Sequence, residues 1–386
     1  MARVRRFSRA RLSSSRGETF LRAEEGLGEP PITLAYSLGE SEASFPVIHG
    51  FVAEGALEAD GPLSGEFAFL AKRGERYLAG RDALGTRPLY TDATGSIVAS
   101  DHRFFPPGDP PHPLGRGTTV DLGSMSVRTA RTVAAVTAGD LEGSASRLAG
   151  LLEESVERRV KGCRKVAVSF SGGLDSSLIA MLAARRTEVT LCSAFASGSR
   201  DELGVGRAAD LLGLRSLSTK LEGPRVADEL AGLDLPFRAA PMDRALWSLY
   251  SSTARLAADD GAELILLGQL ADELFGGYMK YSIAAKKDEG LAARMMEADV
   301  EACAERAFVR DEDACARFIE PRFPFADERV VALALGLPVS YKVSGPQRKL
   351  VLRIAASRLG LPDELVQAPK KAAQYSSGIA KILPST

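Results

Sequence analysis

Residues 165–184 read KVAVSFSGGLDSSLIAMLAA, and no other stretch limits the possible folds so strongly. "VAVSF" is a short apolar run, Gly172 and Gly173 interrupt it, and Leu178, Ile179 and Leu182 then fall on one side of a helix. The rhythm repeats with "VTLCSAF", a helical pattern around Ala208 to Leu212, and "AELILLG". Strands alternating with helices predict a doubly wound parallel sheet with helices on both faces. After Tyr281 the pattern is mostly helical, punctuated by Pro321, Pro324, Pro338, Pro346 and Pro362.

In such a sheet ligands bind where a strand ends and a helix begins, which is where "SFSGGLDSS" falls. The two glycines let the backbone approach an anion, and Ser171, Ser176 and Ser177 add hydroxyl donors beside a helix terminus. The chemistry is that of phosphate. No Gly-Lys-Ser/Thr follows to grip β and γ phosphates, so a γ-phosphate transferase is not expected. Asp175 would repel pyrophosphate unless a cation joined it, which implies Mg²⁺. The plainer alternative is a glycine turn capped by Ser and Asp ahead of an ordinary helix. "LLGQLADELFGGYMKY", Leu266 to Tyr281, repeats the logic: a strand ends at Gly268, acids follow, and Asp272 and Glu273 are placed to face Asp175 across one site.

The front half differs. From Leu34 to about Tyr90, short apolar runs broken by Gly and Asp read as paired strands with tight turns. "DHRFFPPGDPPHPLGRG" is too rich in proline for a helix or a central strand, so it predicts a surface connection. Asp140 opens a helix with Leu141, Ala145, Leu148, Leu151, Leu152 and Val156 at helical spacing, which places a domain boundary near residue 138. The expected division is a β-rich domain over 1–138 and an α/β domain over 139–386.

A net charge of -1 offers nothing for coating nucleic acid or an anionic membrane, so small-molecule substrates are the expected partners. A homodimer is allowed but not required. Cys163, Cys192, Cys303 and Cys315 have neither CxxC nor zinc-like spacing, consistent with isolated thiols in a reducing compartment; the cytoplasm is the expectation. The opening "MARVRRFSRARLSSSRG" has a composition shared by transit peptides and plain disordered arms, of which the arm is preferred.

"SGGLDSS" resembles the pyrophosphate-binding loop of the N-type ATP pyrophosphatases, which cleave ATP to AMP and pyrophosphate. With the second loop, the chain resembles the asparagine synthetase family, which includes β-lactam synthetase. "SRDE" at Ser199 to Glu202 is similar to the family's stretch after the adenine-binding strand. Arg310, Asp311, Glu320, Arg322, Pro324, Phe325 and Asp327 match a further segment, and "RKLVLRIAASRLGLPDEL" followed by "PKKAAQYSSG" resembles its C-terminal part. "LSGEFAFL" and "RDALGTRPLY" look like its glutaminase-type front domain, here a degenerate Ntn-hydrolase-like one.

The resemblance implies that Ser171, Gly172, Gly173, Asp175 and Ser176 hold the pyrophosphate of ATP, with Asp175 and Asp272 as Mg²⁺ ligands. It implies Phe170, Ala194, Gly268 and Gln269 around the nucleotide, and Glu320 with Lys370 or Lys371 as catalytic groups. The implied reaction adenylates a carboxylate, aspartate first, and then transfers ammonia; an amide or lactam former on another carboxylate, or a MgATP-binding regulator, are the rivals.

Two departures qualify this. Glutamine-using members carry a cysteine after the initiating methionine, whereas Ala2 stands here, no cysteine precedes Cys163, and no Asn-Gly-Glu segment appears, so the front domain is expected to be a scaffold. Gln269 and Leu270 replace the acid or tyrosine and the glycine that relatives place before the metal aspartate. Gln269 can orient an amine but cannot take its proton, and Leu270 is expected to narrow the space beside it. His49, His102 and His112 all fall in the front half and are expected at the surface or in packing.

Overall fold

The structure is a computed structural model that describes residues 35–37, 47–54, 63–73, 76–105, 108, 110–368 and 377–383. The arginine- and serine-rich opening, Lys370 and Lys371 lie outside the described residues. Two compact units emerge: Met1–Val133 with Ala304–Glu312, and Ala134–Cys303 with Asp313–Thr386. Arg310 and Asp311 thus belong with the front unit, which a single cut near residue 138 does not describe.

The second unit holds a five-stranded parallel sheet in the spatial order Arg215–Leu221, Glu188–Ala196, Lys165–Ser169, Leu264–Leu266, Glu320–Arg322. Lys165–Ser169 is first in sequence and central in space. The chain builds outward from it on one side, then returns to build on the other, so the topological switch point lies between Lys165–Ser169 and Leu264–Leu266. Loops leaving neighbouring strands in opposite directions open a crevice there, at the strands' carboxyl ends. The three central strands are buried on both faces, as their continuous apolar runs require: Val166, Ala167, Val168, Leu191, Ile265 and Leu266 are fully enclosed, whereas the edge strand Arg215–Leu221 is largely exposed. Asp140 accepts from Gly143 N and caps the helix Leu141–Val160, as its position predicted. The helix Pro241–Asp259 crosses the sheet, with Ala245 and Leu249 in a cluster with Ala194, Leu221, Val226 and Ile379. No helix among the described residues is long and apolar enough to cross a membrane.

Among the described residues the front unit contains two antiparallel sheets, one of five strands and one of four. Ala68, Leu70, Ala79 and Val120 from the first and Val98 from the second share one apolar cluster. "RDALGT" forms the turn expected of it because Asp82 satisfies it: its carboxylate accepts from Phe67 N, Leu84 N and Thr86 N, at 3.1, 2.9 and 3.0 Å, and from Thr86 Oγ1. Of the histidines, expected at the surface or in packing, His49 is packed inside, in a buried ion cluster. Its Nε2 is 2.9 Å from Glu312 Oε1, and Glu312 also pairs with Arg87, whose other neighbour is Glu66 at 3.6 Å. Burial pushes the Glu312 carboxyl up, but Arg87 and His49 more than reverse this and hold it below the ordinary carboxylate range. A polar residue on the buried side of a strand had its partner in a segment more than 200 residues away, which sequence spacing does not reveal. His112 is exposed and His102 half-buried.

Removing the guanidinium would leave Glu312 with His49 and take the buried cation away from Glu66. Arg87→Met is expected to destabilise the front unit by about 3–5 kcal/mol, read as a lowered denaturant midpoint of its unfolding transition; a loss below about 1 kcal/mol would show that the cluster contributes little.

Candidate active site

The loop after Lys165–Ser169 turns at Gly172, whose φ of 67° lies in the left-handed region, and enters the helix Leu174–Ala184 through Gly173. Gly173 offers no side chain to cap that helix, so the first helical amides keep their donor capacity for an anion. Ser171 Oγ and Ser176 Oγ lie 3.3 Å apart, and Ser176 Oγ donates to Gly173 O at 3.3 Å. The hydroxyls therefore line the same turn as the amides. Phe170 continues the strand, its N–H donating to Cys192 O at 2.8 Å while its own carbonyl accepts from Ser193 Oγ at 2.7 Å. Phe170 and Ala194 are buried at adjacent strand ends, as a nucleotide pocket there would need.

The neighbouring strand Leu264–Leu266 delivers the second loop. Gly268 faces Asp175 so closely that a Cβ on it would lie 3.5 Å from Asp175 Cβ. Half-buried Gln269 follows, and then Leu270, with φ 78°, ahead of the helical turn Ala271–Phe275. A left-handed residue is strained unless it lacks a side chain, so Leu270 carries a backbone cost that glycine would avoid. The Leu270 side chain is fully buried, so the residue exchanges backbone strain for apolar burial.

Asp175 and Asp272, from separate strand ends, meet at one nitrogen. Lys349 Nζ lies 2.6 Å from Asp175 Oδ2 and 2.6 Å from Asp272 Oδ1. Sequence reasoning did not single out Lys349, since nothing local marks it. It is a left-handed residue (φ 61°) immediately before the helix Leu350–Arg358 and is 1% exposed. Burial alone would push its ammonium down; Asp175 and Asp272 more than reverse that, and the net direction is up. Gly277 makes room for the cluster, because a Cβ there would fall 1.9 Å from Asp272 Oδ1 and 2.7 Å from Lys349 Cε. Arg348 Nη1 pins the Gly277 carbonyl at 2.7 Å.

The donor set fits Mg²⁺. Two carboxylates that touch one nitrogen are close enough to share one small ion, oxygen donors are what that ion takes, and Asp175 Oδ1 is buried with no hydrogen bond among the described residues. One lysine against two aspartates also leaves the cluster one negative charge in excess.

Behind Asp272, Glu273 is buried and accepts from Tyr278 Oη at 2.7 Å. Burial, then the neighbouring Asp272 charge, push its carboxyl up to about 7. Glu273 borders a small cavity of about 20 Å³, enough for one water, together with Glu297 and Lys342. Burial lowers Lys342 to about 8.

Glu320 requires correction: the structure does not bring it to this site. It pairs with Leu264, at the start of a strand whose far end leads to Gly268, so it lies at the amino edge of the sheet while the site lies at the carboxyl edge. Its carboxylate is held by Arg322 at 2.9 Å. The segment match located the strand, but the direction of that strand was invisible until its pairing was known.

The asparagine synthase family model matches residues 147–302 and 284–383. A putative glutamine-hydrolyzing asparagine synthetase of Methanocaldococcus jannaschii is 32% identical over 274 residues, covering 60% of this chain and 49% of that protein. The glutamine-hydrolyzing asparagine synthetase of Gallus gallus is 25% identical, covering 88% of this chain and 68% of that protein. The chain thus spans about half the length of the archaeal relative. The solved NMN synthetase of Francisella tularensis is similar at 11% identity over 62% of this chain and 79% of that one, with a TM-score of 0.32.

The raised Glu273 fixes a sign. The folded state holds its proton between pH 4.5, the ordinary value, and about 7. This contribution to stability is therefore complete below the lower value and lost as pH rises through the upper one. In EDTA, Glu273→Gln is expected to be more stable than the parent above pH 7 by roughly 2–3 kcal/mol, with the difference vanishing toward pH 4.5; equal stability of the two proteins at pH 8 would refute the assignment. Gly277→Ala, which drives a methyl into Asp272, is expected to weaken MgATP binding about 10–100-fold by calorimetric titration.

Proposed function

This chain belongs to the asparagine synthase family, and from that membership and the geometry above we propose that it is an ATP-dependent amide ligase. A substrate carboxylate, aspartate as first choice, attacks the α-phosphorus of ATP; the bond to pyrophosphate breaks, and the leaving group settles among the amides and hydroxyls of Ser171–Ser177. Ammonia then attacks the acyl-adenylate carbon, gives up a proton, and AMP departs as the amide forms. The observation that carries this reading is the meeting of Asp175 and Asp272 at one cation position beside a glycine loop, at the sheet's switch point.

Asp175 and Asp272 are the residues that would hold Mg²⁺, which would supply positive charge to offset that of the phosphates. The protein's own groups do the rest. The uncapped helix start, with Ser171 and Ser176, aligns the leaving pyrophosphate, and Lys349 adds positive charge where negative charge accumulates. Phe170, Ala194 and Gly268 are assigned to the adenine side, and Gln269 to orienting the amine. Lys370, with Lys371 as its alternative, is assigned to the α-phosphate and the developing oxyanion from its place in "PKKAAQYSSG". Free ammonia is the first choice of donor. The acceptors are small molecules, and no nucleic-acid or membrane partner is proposed.

Isotope exchange between pyrophosphate and ATP, measured across candidate carboxylates, tests the first step. Exchange with aspartate is expected, falling at least about 100-fold in Asp272→Asn. Exchange with a different carboxylate only would redirect the reading to another amide former, and exchange with none would end it. Mass spectrometry of reactions given ammonium or glutamine is expected to show AMP and asparagine with ammonium alone.

A further inference from the structure

Lys349 directly follows a short hairpin, Val343–Ser344 paired with Gln347–Arg348, in which Val343 stands opposite Arg348. Gly345, with φ 58°, and Pro346, whose ring fixes a negative φ, form its two-residue turn; glycine first is the order that a tight hairpin turn of this kind takes. Val343 and Arg348 grip the end of the acidic turn from both strands. A Cβ on Gly276 would fall 2.5 Å from Val343 Cγ2, so the strand lies against bare backbone there, and Arg348 Nη1 donates to Gly277 O at 2.7 Å. Arg348 is itself held: its carbonyl accepts from Nε of Arg353, a residue 7% exposed, at 2.8 Å.

Both glycines pass that grip on to Asp272. Its carbonyl accepts from Gly277 N at 2.8 Å and from Gly276 N, so the Arg348 guanidinium reaches the Asp272 backbone through a single residue, Gly277. A helical turn of five residues, Ala271–Phe275, has too few hydrogen bonds to hold its own shape. It begins at left-handed Leu270 and ends at left-handed Gly276, so the place of Asp272 depends on what fixes those ends. Asp175 has no such need, since it sits in the first turn of a helix of 11 residues, Leu174–Ala184.

We propose that Arg348 is a positioning residue, one that sets Asp272 against Asp175 and Lys349 by holding the Gly277 carbonyl. What this means for a metal rests on the ligase reading; the anchoring itself does not. The effect is one-sided. Arg348 acts on the loop that brings Asp272, while the glycine loop and Asp175 stand on the central strand. Loss of the bond would loosen one of the two carboxylates and leave the phosphate side in place, and a partner that orients a metal ligand is worth about 10–100-fold in metal affinity.

Arg348→Met in the full chain tests this. Hydrogen exchange of the amides of residues 272–281 is expected to quicken about 10-fold, with that of Leu174–Ala184 unchanged. The Mg²⁺ concentration that half-saturates ATP binding, read by calorimetry, is expected to rise about 10-fold, while ATP affinity at saturating Mg²⁺ stays within about 3-fold. Arg348→Lys, which keeps a donor for Gly277 O, is expected to return both measurements to within about 3-fold of the parent. Unchanged exchange in the acidic turn would overturn the proposal, as would an equal quickening across Leu174–Ala184, an unaltered Mg²⁺ requirement, or a lysine variant as impaired as the methionine one. If the parent binds no MgATP, the ligase reading fails while exchange and its rescue by lysine still decide the anchoring. Arg348→Gln, too short to reach the carbonyl, serves if the methionine variant does not fold; failure of both to fold would overturn the proposal by making Arg348 a residue of the fold alone.

Discussion

A buried ammonium held 2.6 Å from each of two carboxylates is the contact on which the second unit is organised. Taking three charges out of water is costly, and the cost is recovered only if the partners are close and fixed. Every neighbouring feature serves that closeness. Gly277 removes a side chain that would collide with Asp272, and Arg348 locks the loop that carries Asp272. Lys349 itself accepts a left-handed backbone to reach inward. Strain of this kind persists only where surrounding structure over-determines it.

Because two aspartates face one lysine, the cluster keeps a negative excess, and an uncapped helix start beside it keeps a positive one. The first attracts a cation and the second an anion. A polyphosphate carrying its metal satisfies both at once, which neither loop does alone. The topology matters here: only at the switch point do two adjacent strands send their loops apart, which is where a crevice opens in such a sheet.

The front unit spends its buried charges differently. His49, Arg87, Glu66 and Glu312 pair among themselves in the interior, and the Asp82 carboxylate is saturated by the amides and hydroxyl of its own turn. A carboxylate with all its acceptor capacity engaged stabilises a turn and has little left for a substrate. The contrast with Asp175, whose Oδ1 has no hydrogen bond among the described residues, separates a structural acid from one placed for a ligand.

The sequence by itself determined the strand, glycine loop and helix at 165–184, the second acidic loop, the helix opened by Asp140 and the alternation that forces a parallel sheet. All of these are local, set by apolar period, glycine and capping chemistry within one or two turns of chain. Tertiary structure decided the rest, because it depends on which strands become neighbours. Glu320 stood in a matching segment but began its strand at the wrong edge, and His49 met a partner from a distant segment. Lys349 and Arg353 acquired their places only when their helix was laid beside two loops that end more than seventy residues before it. Burial gives such charges their consequence, and burial is a property of the packed chain that no short window of residues contains.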